Sequence, residues 1–152
     1  MRSIKFRAQQ FNHGKHGFQY GSYATDNKNY HAIVKESKSD PDEMYNILIN
    51  PKTLGQFTGL QDKNGVDIYE GDIVKVLMTD WPSQSRPEKL SLEDYMDSLA
   101  SDFPVVFHDG AFQISSPCRH GDGLAYEDIW CGKYGFIKVI GNIHSNPELL
   151  EQ

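Results

Sequence analysis

The chain has 152 residues, 38% of them hydrophobic and 12% aromatic, with a formal net charge of -6 at pH 7. That length bounds it to one domain of ordinary size or two small lobes sharing a core, and the acid excess makes it a poor default binder of nucleic acid. No run approaches the roughly 20 apolar residues that cross a bilayer, and Met1-Arg2-Ser3-Ile4-Lys5 is not followed by the apolar stretch of a signal peptide. The expectation is a cytoplasmic protein whose Cys118 and Cys131 stay reduced.

Ile4-Lys5-Phe6-Arg7-Ala8 alternates apolar and basic residues, which predicts a strand with Lys5 and Arg7 facing outward. A polar loop with Gly14 and Gly17 follows, carrying His13 and His16. Phe18 to Tyr23 and Tyr30 to Val34 read as a hairpin turned by Asp26-Asn27-Lys28-Asn29. The charged stretch from Glu36 to Glu43 is a loop, or the start of a short helical turn capped by Asp40 with Pro41 in first position. Tyr45 to Ile49 is a short apolar strand.

The most telling stretch runs from Gln56 to Val76. A polar strand leads into Gly59-Leu60, and Asp62-Lys63-Asn64-Gly65 is a type I′ or bulged hairpin turn. Val66 to Tyr69 returns as a strand. Glu70-Gly71-Asp72 makes a second turn, with Gly71 taking a backbone angle costly for other residues and Asp72 bonding the turn's amides. Ile73 to Met78 is the strongest strand in the chain. Ser91 to Leu99 is the best helix, with Ser91 as N-cap and Leu92, Tyr95, Met96 and Leu99 on one stripe. Phe103 to His108 and Ala111 to Ser115 form a hairpin about Asp109-Gly110. Phe136 to Ile143 is the last strand, bent or bulged at Gly141, and Asn146-Pro147-Glu148-Leu149-Leu150 closes with a helical turn capped by Asn146.

The fold class expected is mainly β: a small SH3-like barrel with additional strands, one amphipathic helix in an insertion and a short C-terminal helical turn. One domain spans 1–152, with N-terminal strands over 1–50 and the barrel core over 51–152, the helical insertion lying at about 80–102.

Several blocks together resemble one family. They are Ile4-Lys5-Phe6-Arg7-Ala8, Phe57-Thr58-Gly59-Leu60-Gln61-Asp62-Lys63-Asn64-Gly65, Ile68-Tyr69-Glu70-Gly71-Asp72-Ile73-Val74, Val139-Ile140-Gly141-Asn142-Ile143 and Asn146-Pro147-Glu148-Leu149-Leu150. With these the chain is similar to the YopX family, proteins encoded by bacteriophages and prophages. Two departures stand out: Gln9 replaces the Trp usual after the opening Arg-Ala, and the connection from Trp81 to Asp102 is longer than typical. The resemblance implies an SH3-type barrel, some tendency to self-associate, and no established catalytic activity, so it carries over no functional residue.

Chemistry-bearing groups each have a plainer reading beside them. Cys118, His120, Asp122 and Cys131 are residue types that zinc accepts, but their spacing matches no standard knuckle, and reduced loop cysteines are the preferred reading. Asp67, Glu70 and Asp72 form an acidic cluster whose turn and strand-edge positions fit capping better than acid–base work. No catalytic, cofactor-binding or metal-ligating residue is assigned, and the protein is expected not to be an enzyme. Charge is uneven: residues 1–38 hold seven bases against two acids, a balance of +5, while 39–104 hold thirteen acids against five bases. Such asymmetry suits head-to-tail association, or is simply a solvated surface.

The leading functional expectation is a phage-encoded, non-enzymatic protein that oligomerises or engages a phage or host protein. The alternative is a single-stranded nucleic-acid module, gripping phosphates with Lys5 and Arg7 and stacking bases on Tyr20 and Tyr23. The residues singled out for structural turns are Gly59, Asn64, Gly65, Gly71, Asp72 and Gly141.

Overall fold

The computed structural model describes residues 4–11, 17–26, 28–40, 42–77, 101–117, 124–128 and 136–151. It divides into two compact units, Met1–Leu60 and Gln61–Gln152. The architecture is mainly β, in antiparallel sheets, and the described residues contain no α-helix. The helix expected over Ser91 to Leu99 lies outside the described residues.

The first unit holds β1 (Phe6–Gln9), β2 (Phe18–Thr25), β3 (His31–Glu36), β4 (Met44–Leu48) and most of β5 (Gly55–Gln61), in the order β4-β3-β2-β1-β5. Alternation along β1 turns Phe6 and Ala8 to one face. There Ala8, Ile33 and Ile49 form a buried cluster, with Phe6, Tyr23 and Leu54 packed against it. The sheet curls enough that its far members meet. Gln10 bridges Ile49, the Phe11 amide donates to the Leu48 carbonyl (2.9 Å), and the Asn50 amide donates to the Gln9 carbonyl (2.9 Å). Gly21 permits the tight curl, because a Cβ there would run into the Val34 carbonyl oxygen and lie 2.9 Å from Ile33 Cγ2.

A 3-10 turn at Pro51–Thr53 leads out of β4, capped by the Asn50 side chain, which accepts from the Lys52 amide at 3.1 Å. Between β3 and β4, Asp40 has the capping part expected of it. The Glu43 amide donates to the Asp40 carbonyl (3.1 Å), and Asp40 Oδ1 accepts from the Asp42 amide (3.0 Å).

The second unit contains β6 (Asp67–Tyr69), β7 (Asp72–Leu77), β8 (Ser101–His108), β9 (Ala111–Pro117), β10 (Leu124–Asp128) and β11 (Phe136–Asn142). Its sheet runs β10-β9-β8-β7-β11. This order among the described residues supports the expected mainly β class and gives no support to the SH3-like barrel expected over 51–152. β7 lies between β8 and β11, and both Ile73 and Val74 are fully buried, as a central apolar run requires. Asp109 (φ 48°) and Gly110 (φ 81°) turn the β8–β9 hairpin, both left-handed as a type I′ turn demands. The register of β11 on β7 shifts between Val139 and Gly141, the expected bulge. The terminal turn is a 3-10 helix at Pro147–Leu150, and Asn146 precedes it without a side-chain capping bond.

Candidate interaction surface

Two hairpin turns are built by the same rule, one in each unit. In the first, Asp26 Oδ1 accepts from the amides of Lys28 and Tyr30, both at 2.8 Å, while Asn29 takes the left-handed conformation (φ 66°). In the second, Asp62 Oδ1 accepts from the amides of Asn64 (2.7 Å) and Val66 (2.9 Å), and Gly65 is left-handed (φ 79°). Asn64 has no positive φ, so of the two expected forms the bulged turn is the one present.

The turns differ in what surrounds them. Asp26 is exposed, whereas Asp62 is buried, and its second oxygen accepts the Val139 amide of β11 at 3.1 Å. The Lys63 amide also donates to the Ile137 carbonyl at 3.0 Å, so this turn occupies the outer edge of β11. Burial pushes the Asp62 carboxyl up. The amides of Val66, Val139 and Asn64, with the Lys138 ammonium, more than offset that and leave it below its usual 3.8.

The Glu70-Gly71-Asp72 turn is likewise structural. Asp72 is 1% exposed and accepts the Tyr69 amide at 2.8 Å. Gly71 (φ 79°) donates to the Val105 carbonyl (2.9 Å), and its own carbonyl accepts from Asn142 Nδ2 (2.7 Å) and the Ile143 amide (2.9 Å). Gly141 gives close passage to the terminal turn, since a Cβ there would lie 2.7 Å from Leu149 Cδ1 and 2.9 Å from Asn146 Oδ1. Gly59 (φ 89°) sits within β5. Of the acidic cluster, Asp67 Oδ1 accepts from Gln61 Nε2 at 2.8 Å, and Asp72 is buried in its own turn. Cys118, His120, Asp122, Cys131, His13 and His16 lie outside the described residues. Among the described residues, no three His, Cys, Asp or Glu are gathered as a metal would need.

The residues of the nucleic-acid reading do not form one basic face. Arg7 is only 6% exposed, its guanidinium 4.6 Å above the Phe18 ring, which corrects the expectation that it faces outward. Lys5 is exposed and lies over the Phe57 ring at 5.1 Å. Tyr20 is exposed opposite Arg7 in the β1–β2 register. Tyr23 is half-buried, its hydroxyl hydrogen-bonded to His31 Nδ1 at 2.6 Å and its ring 5.7 Å from Phe6.

What the first unit does present is an edge. β4 ends the sheet order, and Met44, Tyr45 and Leu48 are 64%, 43% and 51% exposed. Beside its Leu48 end lies a depression of about 580 Å³, with Phe11, Tyr30, His31, Leu48, Ile49 and Pro51 on its walls. Asp26, Lys28 and Asn29 supply its polar rim. Sequence reading missed this surface, because the edge position of a strand is set by strand order and not by its own residues.

The backbone groups at this edge follow from the ladder. The Ile49 amide donates to the His31 carbonyl (3.1 Å), so the odd residues of β4 bond to β3 in the register Ile33–Ile47 and Lys35–Tyr45. Antiparallel alternation then points the N–H and C=O of Met44 and Asn46 away from the sheet.

Comparison with known proteins agrees with this architecture. A crystal structure of protein EF1440 from Enterococcus faecalis is similar over 99% of each chain, at 24% identity and a TM-score of 0.51, a likeness of fold. No curated protein matches the chain. No helix among the described residues is long and apolar enough to cross a membrane. The family model described as YopX protein matches residues 5–151, nearly the whole chain, and the protein belongs to the YopX family.

Proposed function

We propose that this protein is a non-enzymatic interaction module that associates with other protein chains, a second copy first, through the open edge of β4. The contrast between two edges carries the reading. Sheet edges are guarded in nature by charges, prolines, bulges or covering loops, because an open ladder is a template for another strand. β11 has such guards: a bulge, Lys138, and the Asp62 turn bonded to Ile137 and Val139. Met44-Tyr45-Asn46-Ile47-Leu48 has no charge and no proline, and three of its five side chains are large, apolar and exposed. Among the described residues, Phe11 covers this edge at Leu48.

The test is a mass measurement by light scattering at rising concentration, for the wild type and for Asn46→Pro. The Asn46 N–H points away from β3, so proline removes a donor to a partner and none to the protein's own sheet. The wild type is expected to reach at least twice its monomer mass and Asn46→Pro to stay monomeric with an unchanged β spectrum. A wild type that remains monomeric and binds no protein sinks the proposal.

A further inference from the structure

We infer that two copies join β4 to β4 antiparallel about a two-fold axis at Tyr45, with the acidic β3–β4 connection of each copy seated beside the Lys28 and Lys52 end of the other. This rests on the self-association proposed above and adds its register and its electrostatics.

The register follows from which backbone groups are open. An isologous antiparallel pair must place residue i opposite j and j opposite i. Pairing Met44 with Asn46 of the second copy uses the outward N–H and C=O of both residues twice over, making four hydrogen bonds. Placing Asn46 opposite itself would set Met44 against Leu48, whose carbonyl already accepts from Phe11. Placing Met44 opposite itself would leave Asn46 facing Asp42, in the turn beyond the strand. In the favoured register the two Tyr45 rings face each other, and Met44 lies diagonal to Leu48, within the reach of cross-strand side chains. The strand ends at Met44, and the Ser37 amide, which donates to the Glu43 carbonyl (2.8 Å), keeps the connection on the β3 side.

Charge then matches end to end. The β3–β4 connection carries exposed Glu36, Asp40, Asp42 and Glu43 against Lys38. The opposite end carries exposed Lys28 and Lys52, and the nearby Asp26 is turned onto its own hairpin amides. Two-fold symmetry brings acid end to lysine end twice, which favours association and fixes register.

The experiment uses two double variants, Asp42→Lys with Glu43→Lys, and Lys28→Glu with Lys52→Glu. Turn contacts of these residues run through their backbone amides, so the reversals leave the turns their bonds. By sedimentation velocity at low salt, each variant alone is expected to dimerise at least about tenfold more weakly than wild type. An equimolar mixture is expected to form heterodimers at least as tightly as wild type, because one copy is then basic at both ends and the other acidic at both. Variants that self-associate like wild type, or a mixture without heterodimers, overturn the register while Asn46→Pro still judges the edge itself. A monomeric wild type overturns both.

Discussion

Asp62 and Asp26 make the same turn bonds, so the same substitution in each isolates what burial and the third bond add. In Asp26→Asn the side-chain carbonyl keeps both amides, since Oδ1 alone accepts them. An exposed site of this kind changes by about 0.5 kcal/mol or less. In Asp62→Asn the carbonyl keeps Asn64 and Val66, but the new amide nitrogen faces the Val139 N–H, donor against donor. One charge-assisted bond is lost and a donor is stranded, a cost of roughly 2–3 kcal/mol. For a chain this long that is a fall in Tm of about 5–10 °C.

The acid limb supplies the sign. The folded carboxyl titrates below the usual 3.8, so the unfolded chain binds more protons in that window and stability rises with pH there. The contribution of Asp62 is fully present above the unfolded value and is lost as pH falls through the depressed folded one. Urea melts followed by circular dichroism at pH 7 and at successively lower pH are expected to show a gap between wild type and Asp62→Asn that narrows on acidification. Equal stability of the two asparagine variants at pH 7, or a gap that does not narrow, refutes the reasoning.

Three further substitutions test the packing. Gly21→Ala meets the Val34 carbonyl oxygen, which is backbone and cannot swing aside, so it costs about 3 kcal/mol or more and exceeds Gly71→Ala in urea melts. Gly71→Ala meets nothing nearer than 3.4 Å and costs only the left-handed conformation, about 1–2 kcal/mol. Gly141→Ala presses on Leu149 and Asn146; it is expected to cost about 1 kcal/mol and to speed hydrogen exchange at the Leu149 amide, which donates to Asn146. Tyr23→Phe removes the 2.6 Å bond to His31 and lowers stability by about 1 kcal/mol, read from the urea midpoint.

Local signals located most strands and turns, and each failure has a physical source. Asp109-Gly110 and Asp62 to Gly65 name their turns because left-handed backbone and side-chain acceptors are local chemistry. Leu124–Asp128 escaped as a strand because Leu-Ala-Tyr-Glu-Asp alternates poorly, and pairing with Leu124 opposite Pro117 is what makes it one. Alternation set Lys5 and Arg7 on the same side of β1 but not their exposure: Phe18 of the neighbouring strand covers Arg7. The third bond of Asp62 reaches Val139, 77 residues away. The barrel expectation finds no support in the strand order, which short-range patterns do not encode, and the place of β4 at the end of its sheet is hidden from sequence for the same reason.

Hydrogen exchange at the Met44 and Asn46 amides tests the self-association most directly, because their N–H groups point away from the protein's own sheet. Both are expected to exchange freely at low concentration and to become protected, together, as the mass doubles. Association without protection at these two amides would place the interface elsewhere and contradict the β4 pairing.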